Sequence, residues 1–198
     1  MIGESEAWRA GAYWDGVKKA NGGKGYRTVG YGFNLDSVGH KDLFKETLKV
    51  GDDYYQSVYD GNVDITEAQG RKLFDAAVGE AEQIIDNRLK GVKLNNQQRL
   101  ALVSMAYNSP KLIGKNLVSQ LKAGELDEAV NEILFKSNGS RSLGLYNRRY
   151  EEALTFVGAE RAQTIPSYLS YMAQVLPEKY GISLGDKEPV KPLIASKK

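Results

Sequence analysis

From Tyr26 to Phe33, in "YRTVGYGF", positions alternate with the two-residue repeat of a strand. In that register Val29, Tyr31 and Phe33 face a core, while Tyr26, Thr28, Gly30 and Gly32 face the open side. The preceding run "GVKKANGGKG", residues 16–25, is turn chemistry, because Asn21, Gly22 and Gly23 tolerate the positive φ that a hairpin tip needs. From "ITEAQGRKLF" onward the period becomes helical. Thr66 is placed as N-cap with Gln69 completing a capping box, and Leu73, Phe74, Ala77, Ala81, Ile84, Ile85 and Leu89 recur at helical spacing. "NQQRLALVSMAYN" is apolar on nearly every side, which predicts a helix enclosed by others. "ELDEAVNEILF" carries one apolar stripe, Leu126, Ala129, Val130, Ile133 and Leu134, and a last helix is predicted from Leu145 through Val157. Beyond Pro166 the pattern loosens, and "GDKEPVKPLIASKK" reads as a tail with little to bury.

These elements predict an α+β fold. A small β-containing lobe over residues 12–64 is joined by a long helix over 66–90 to a larger all-helical lobe over 92–160, which also takes a short N-terminal helix. Residues 161–198 form a C-terminal extension and tail, and a cleft is expected between the lobes. Composition then removes whole classes of chemistry. The 198 residues contain no cysteine, so there is no disulfide and no thiolate nucleophile, and the single His40 leaves a zinc site without its usual donors. No metal or other cofactor is expected. A formal net charge of +2 is too weak to call for a nucleic-acid partner. No run reaches the roughly 18 apolar residues of a membrane span, and the start lacks the basic-then-apolar pattern of a cleaved signal. His40, in a polar stretch, reads as a surface residue, and Tyr54, Tyr55 and Tyr59 read as core packing or a half-buried helix face.

Candidate chemistry lies near the start. Glu6 and Asp15 are nine positions apart, which puts them on opposite sides of any continuous helix or strand, so they converge only through a bend. Gly11, near the midpoint, supplies the backbone freedom for one. On the residues alone, the favoured reading of the pair is two surface acids among 25, with the glycines as loop punctuation.

The surrounding pattern is more specific. Glu6 and Asp15 at this offset, followed by "TVGYG", together with "ITEAQGRKLF", "RLALVSMAYN", "LKAGELDEAV" and "GLYNRRYEEAL" in the same order, resemble the phage-type lysozymes of glycoside hydrolase family 24 over residues 6–157. The resemblance implies a lysozyme-like fold and a metal-free, monomeric muramidase that cleaves the β-1,4 bond between N-acetylmuramic acid and N-acetylglucosamine in peptidoglycan. It implies Glu6 as general acid, Asp15 and Thr28 handling the attacking water, and Arg148 pairing with Glu6 to orient it. Asn108 is implied as a substrate-contacting amide, and Tyr26, Tyr31 and Asn34 are further candidates for substrate contact. Such an enzyme is made in the host cytoplasm and acts on the periplasmic wall, as a lysis enzyme or carried on the particle. A lytic transglycosylase, or a non-catalytic wall-binding or virion module, are the rivals. Arg149 reads as an exposed helix-face residue paired with Glu151 and Glu152. The chain departs from the family pattern at "NSP" after Asn108, at Asn34 where some members carry histidine, and in a longer interval from Asp15 to Thr28.

Overall fold

A computed structural model describes residues 7–15, 25–136 and 143–158. Glu6 and the hairpin tip at 16–24 lie outside the described residues, as do the expected N-terminal helix and the C-terminal extension and tail.

Three short strands form one antiparallel sheet in the order β1 (Arg9–Asp15), β2 (Tyr26–Gly30), β3 (Phe33–Asn34). Asp15 is opposite Tyr26, Tyr13 opposite Thr28, and Thr28 opposite Asn34 on its other side. The register shifts between Arg9 and Tyr13, around Gly11. A Cβ at Gly11 would come within 2.8 Å of Asp64 Oδ1, so glycine lets the exposed Asp64 carboxylate lie close against the strand. The adjacent Ala10 carbonyl accepts from the Ile65 N–H at 3.0 Å, which ties β1 to the segment before the long helix.

Two short helices, α1 (His40–Leu48) and α2 (Asp52–Asp60), cover one face of the sheet. Val29, Phe33 and Leu35 pack there against Phe44, Tyr55, Val58 and the first turns of the long helix at Leu73 and Ala77. The burial pushes the Tyr55 phenol up to about 12, and its hydroxyl donates to the Leu35 carbonyl at 2.8 Å.

The long helix α3 (Glu67–Arg88) begins with the expected capping box: the Gln69 N–H donates to Thr66 Oγ1, and the Thr66 N–H donates to Gln69 Oε1. Leu73, Ala77, Ala81 and Ile85 form its buried stripe, and the first two belong to the sheet core while the last two belong to the helical core. Helix α4 (Asn96–Asn108) buries six consecutive residues, Ala101 to Ala106, as an enclosed helix must. A single 3₁₀ turn (Pro110–Leu112), α5 (Lys115–Ala123), α6 (Leu126–Asn131) and α7 (Leu143–Val157) surround it. The stripe predicted on one amphipathic helix divides between α6 and a π-helical segment (Glu132–Lys136), with Ala129, Val130, Ile133 and Leu134 all fully buried.

Candidate active site

Alternation along antiparallel strands puts directly opposed residues on the same face. Tyr13, Asp15, Tyr26, Thr28 and Asn34 therefore share the sheet face opposite the one packed by α1 and α2. Val29 and Phe33 occupy that packed face, and the Arg27 guanidinium lies there over the Trp14 ring at 5.3 Å, with its Nε donating to the Tyr59 carbonyl. Asp15 is diagonal to Thr28, a relation that spans about 7–8 Å between neighbouring strands.

Thr28 differs from expectation. It is 2% exposed rather than open, because it sits on the central strand with Tyr13 and Asn34 flanking it on either side. Its hydroxyl donates to the Tyr26 carbonyl at 3.3 Å. Tyr26 itself is 55% exposed beside Asp15. The Asn34 side-chain oxygen accepts from the Asp36 N–H at 2.9 Å, and its carbonyl lies 2.6 Å from His40 Nδ1. His40 is accordingly not a free surface residue. Its ring stacks on Phe33, and Nε2 is 3.2 Å from Glu80 on α3, so it joins the end of β3 to the long helix. Tyr31 lies where the lobes meet. Its ring touches Trp8 and Phe74, and its hydroxyl donates to Glu67 at 2.8 Å, a bond that raises the phenol's pKa.

The other candidates come from the helical side. The Tyr107 hydroxyl donates to the Tyr31 carbonyl at 2.8 Å, which docks the end of α4 against the turn leaving β2. Asn108 is the exposed last residue of α4. Arg148, half-buried on α7, has Nε 3.4 Å from Glu152 Oε1.

Arg149 overturns its expected surface position. It is 1% exposed and uses both ends of its guanidinium: NH1 donates to Glu152 Oε2 at 2.5 Å, and NH2 to Asn108 Oδ1 at 2.6 Å. Glu152 is buried with it and also accepts from Ser104 Oγ at 2.8 Å. Burial pushes the Glu152 carboxyl above the usual range, and Arg149, Ser104 and Arg148 pull it only part of the way back. The same burial holds the Arg149 guanidinium below its ordinary value. The overlooked signal is helical spacing: Arg149, Glu152, Ala153 and Phe156 are one i, i+3, i+4, i+7 stripe, and its last two members are plainly core residues. Among the described residues, no group of three or more histidine or carboxylate side chains is placed to hold a metal ion.

The family model for phage lysozyme matches residues 3–152, three-quarters of the chain and every element just described but the end of α7. The chain belongs to the phage lysozyme family. Among solved structures, this lysozyme-family chain is similar to the muramidase domain of SpmX from Asticaccaulis excentricus, at 18% identity with a TM-score of 0.52, covering 79% of this chain and 91% of that one. At that identity the likeness speaks for the lysozyme-like fold, a small three-stranded sheet with a mostly helical body. A search of curated proteins finds no match. The family acts on peptidoglycan, and among the described residues no helix is long and apolar enough to cross a membrane.

Proposed function

We propose that this chain is a muramidase that hydrolyses the β-1,4 bond between N-acetylmuramic acid and N-acetylglucosamine. Family membership supports this, and the observation that carries it is the single sheet face bearing Asp15, Thr28, Tyr26 and Asn34. Glu6 is the general acid that protonates the leaving oxygen, and ionised Asp15 activates the attacking water, which the Thr28 hydroxyl helps to hold. The family resemblance favours an inverting course, which requires the two carboxyls to stand about 6.5–9.5 Å apart to leave room for the water. Arg148 orients Glu6, and Asn108, Tyr26, Tyr31 and Asn34 contact the glycan. Tyr26 offers an exposed aromatic face beside Asp15 for stacking on a sugar ring. The enzyme works as a monomer without a metal, made by a phage in its host and acting on the periplasmic wall during lysis or entry.

Anomer-resolved NMR of the first product from purified peptidoglycan tests this directly. Wild type is expected to release a reducing end of inverted configuration. Glu6→Gln and Asp15→Asn are each expected to fold and to lose turnover by about 100- to 10,000-fold. Anhydro ends would identify a transglycosylase instead, and wild-type turnover in Glu6→Gln would refute the assignment of the acid.

A further inference from the structure

Arg149 decides which atom Asn108 shows to its surroundings. A guanidinium has N–H donors and no acceptor, so the Asn108 atom 2.6 Å from Arg149 NH2 is the amide oxygen. The Asn108 NH₂ therefore points away from the buried pair. Arg149 is the sole hydrogen-bond partner of the Asn108 side chain among the described residues, so the amide is fixed from one side and open on the other. Arg149 is in turn fixed by Glu152, which Ser104 and Arg148 also hold. The commitment is complete enough to leave Arg149 Nε buried without a partner. Nothing on the surface requires this arrangement, since an exposed asparagine at a helix end needs no buried ion pair to support it.

We infer that Arg149 and Glu152 are positioning residues that lock Asn108 as a donor-only contact, and that this contact selects glycan units bearing an acetamido carbonyl over units bearing a free amine. The inference rests on the muramidase reading above. Asn108 follows Tyr107, whose hydroxyl meets the Tyr31 carbonyl, so the end of α4 that carries the open NH₂ is docked against the turn leaving β2, the strand that bears Tyr26 and Thr28. An acetamido group offers a carbonyl oxygen that accepts from this NH₂. A de-N-acetylated sugar offers an ammonium, which has only donors and carries the same charge as nearby Arg148. Arginine is required at 149 because its fork reaches Glu152 and Asn108 at once, whereas the point charge of lysine serves one of them.

The test compares kcat/KM on glycan strands before and after chemical de-N-acetylation, for wild type, Asn108→Asp and Arg149→Lys. Aspartate keeps the shape at 108 and the acceptor toward Arg149 but has no N–H. The preference for acetylated strands is expected to fall about five- to tenfold in both variants, with the melting temperature of Asn108→Asp unchanged or raised. A merely structural role would depress both substrates equally. An unchanged preference in Asn108→Asp, or a lowered melting temperature for it, overturns the inference, and because 108 is exposed this holds even if Arg149→Lys fails to fold. A wild type that cleaves neither strand refutes the muramidase reading itself and this inference with it. A wild type that cleaves acetylated strands while the variants keep its preference refutes only the positioning role.

Discussion

Glu152 shows most plainly how much one side chain can carry. Its carboxylate accepts from Arg149, Ser104 and Arg148 in a site with almost no exposure. Removing one member of a buried ion pair strands the other, which costs about 3–5 kcal/mol, whereas replacing both members by well-packed apolar residues is often nearly neutral. Glu152→Leu is therefore expected to lose about 3–5 kcal/mol in urea unfolding, and Glu152→Leu with Arg149→Met to recover most of that loss. Equal losses in the single and double variants would contradict the pairing. Such residues were hard to read from sequence because charged groups are rarely buried, so the surface is the default for an Arg-Arg-Tyr-Glu-Glu run. Thr28 departs from its expected open position for a related reason. Strand alternation assigns a face, but only the cross-strand neighbours Tyr13 and Asn34 determine how far the Thr28 side chain is covered on it.

Helix α3 separates what propensity controls from what packing controls. It contains two glycines in its interior, Gly70 and Gly79, each of which costs helical stability of roughly 1 kcal/mol relative to alanine. A Cβ at Gly79 would meet nothing within 4 Å, so Gly79→Ala is expected to stabilise the protein by about 0.5–1 kcal/mol. At Gly70 a Cβ would come within 2.1 Å of the Trp8 ring. That ring already leans on Tyr31 at a centroid distance of 5.1 Å and cannot simply withdraw, so Gly70→Ala is expected to destabilise by about 1–3 kcal/mol despite its better propensity. Thermal melts of the two variants should shift in opposite directions. The cap and apolar stripe of α3 were legible because both are local, set by residues three or four apart. The requirement for glycine at 70 was not, since it comes from Trp8, sixty-two positions earlier in the chain.

At the scale of the whole molecule, pH acts through two populations of carboxyls with opposite sign. Asp52, Glu67 and Asp86 are held below their ordinary values by hydrogen bonds, to Lys41 and Lys45, to Tyr31 and Arg71, and to Arg99 respectively. Their stabilisation is present above the ordinary carboxylate range and is lost as pH falls through their lowered values. Glu152 lies above its ordinary value, so its contribution is fully present below that value and is lost as pH rises through the raised one. The first three are exposed and screened by salt, and Glu152 is not. Melting temperatures from pH 3 to 7 should accordingly climb on leaving strong acid, with a climb that shrinks between about 0.15 and 1 M salt. The loss of the Glu152 contribution as pH rises through its raised value should persist at both salt concentrations. A salt-insensitive acid limb would refute this division.

The one-dimensional pattern by itself determined a strand from Tyr26, the capped long helix, the enclosed helix α4 and the order of these elements, because each depends on residues a few positions apart; the alternation runs on to Phe33, however, whereas the chain turns at Tyr31 and Gly32 and Tyr31 leaves the core face. It also carried the family, through the order of its motifs. Tertiary structure alone decided that Asp15 and Asn34 join Tyr26 and Thr28 on one face, that Thr28 is covered, and that Arg149 turns inward to hold Asn108 from 41 residues away. The reason is that burial and pairing are properties of the space between elements. No local period specifies what another element brings into that space.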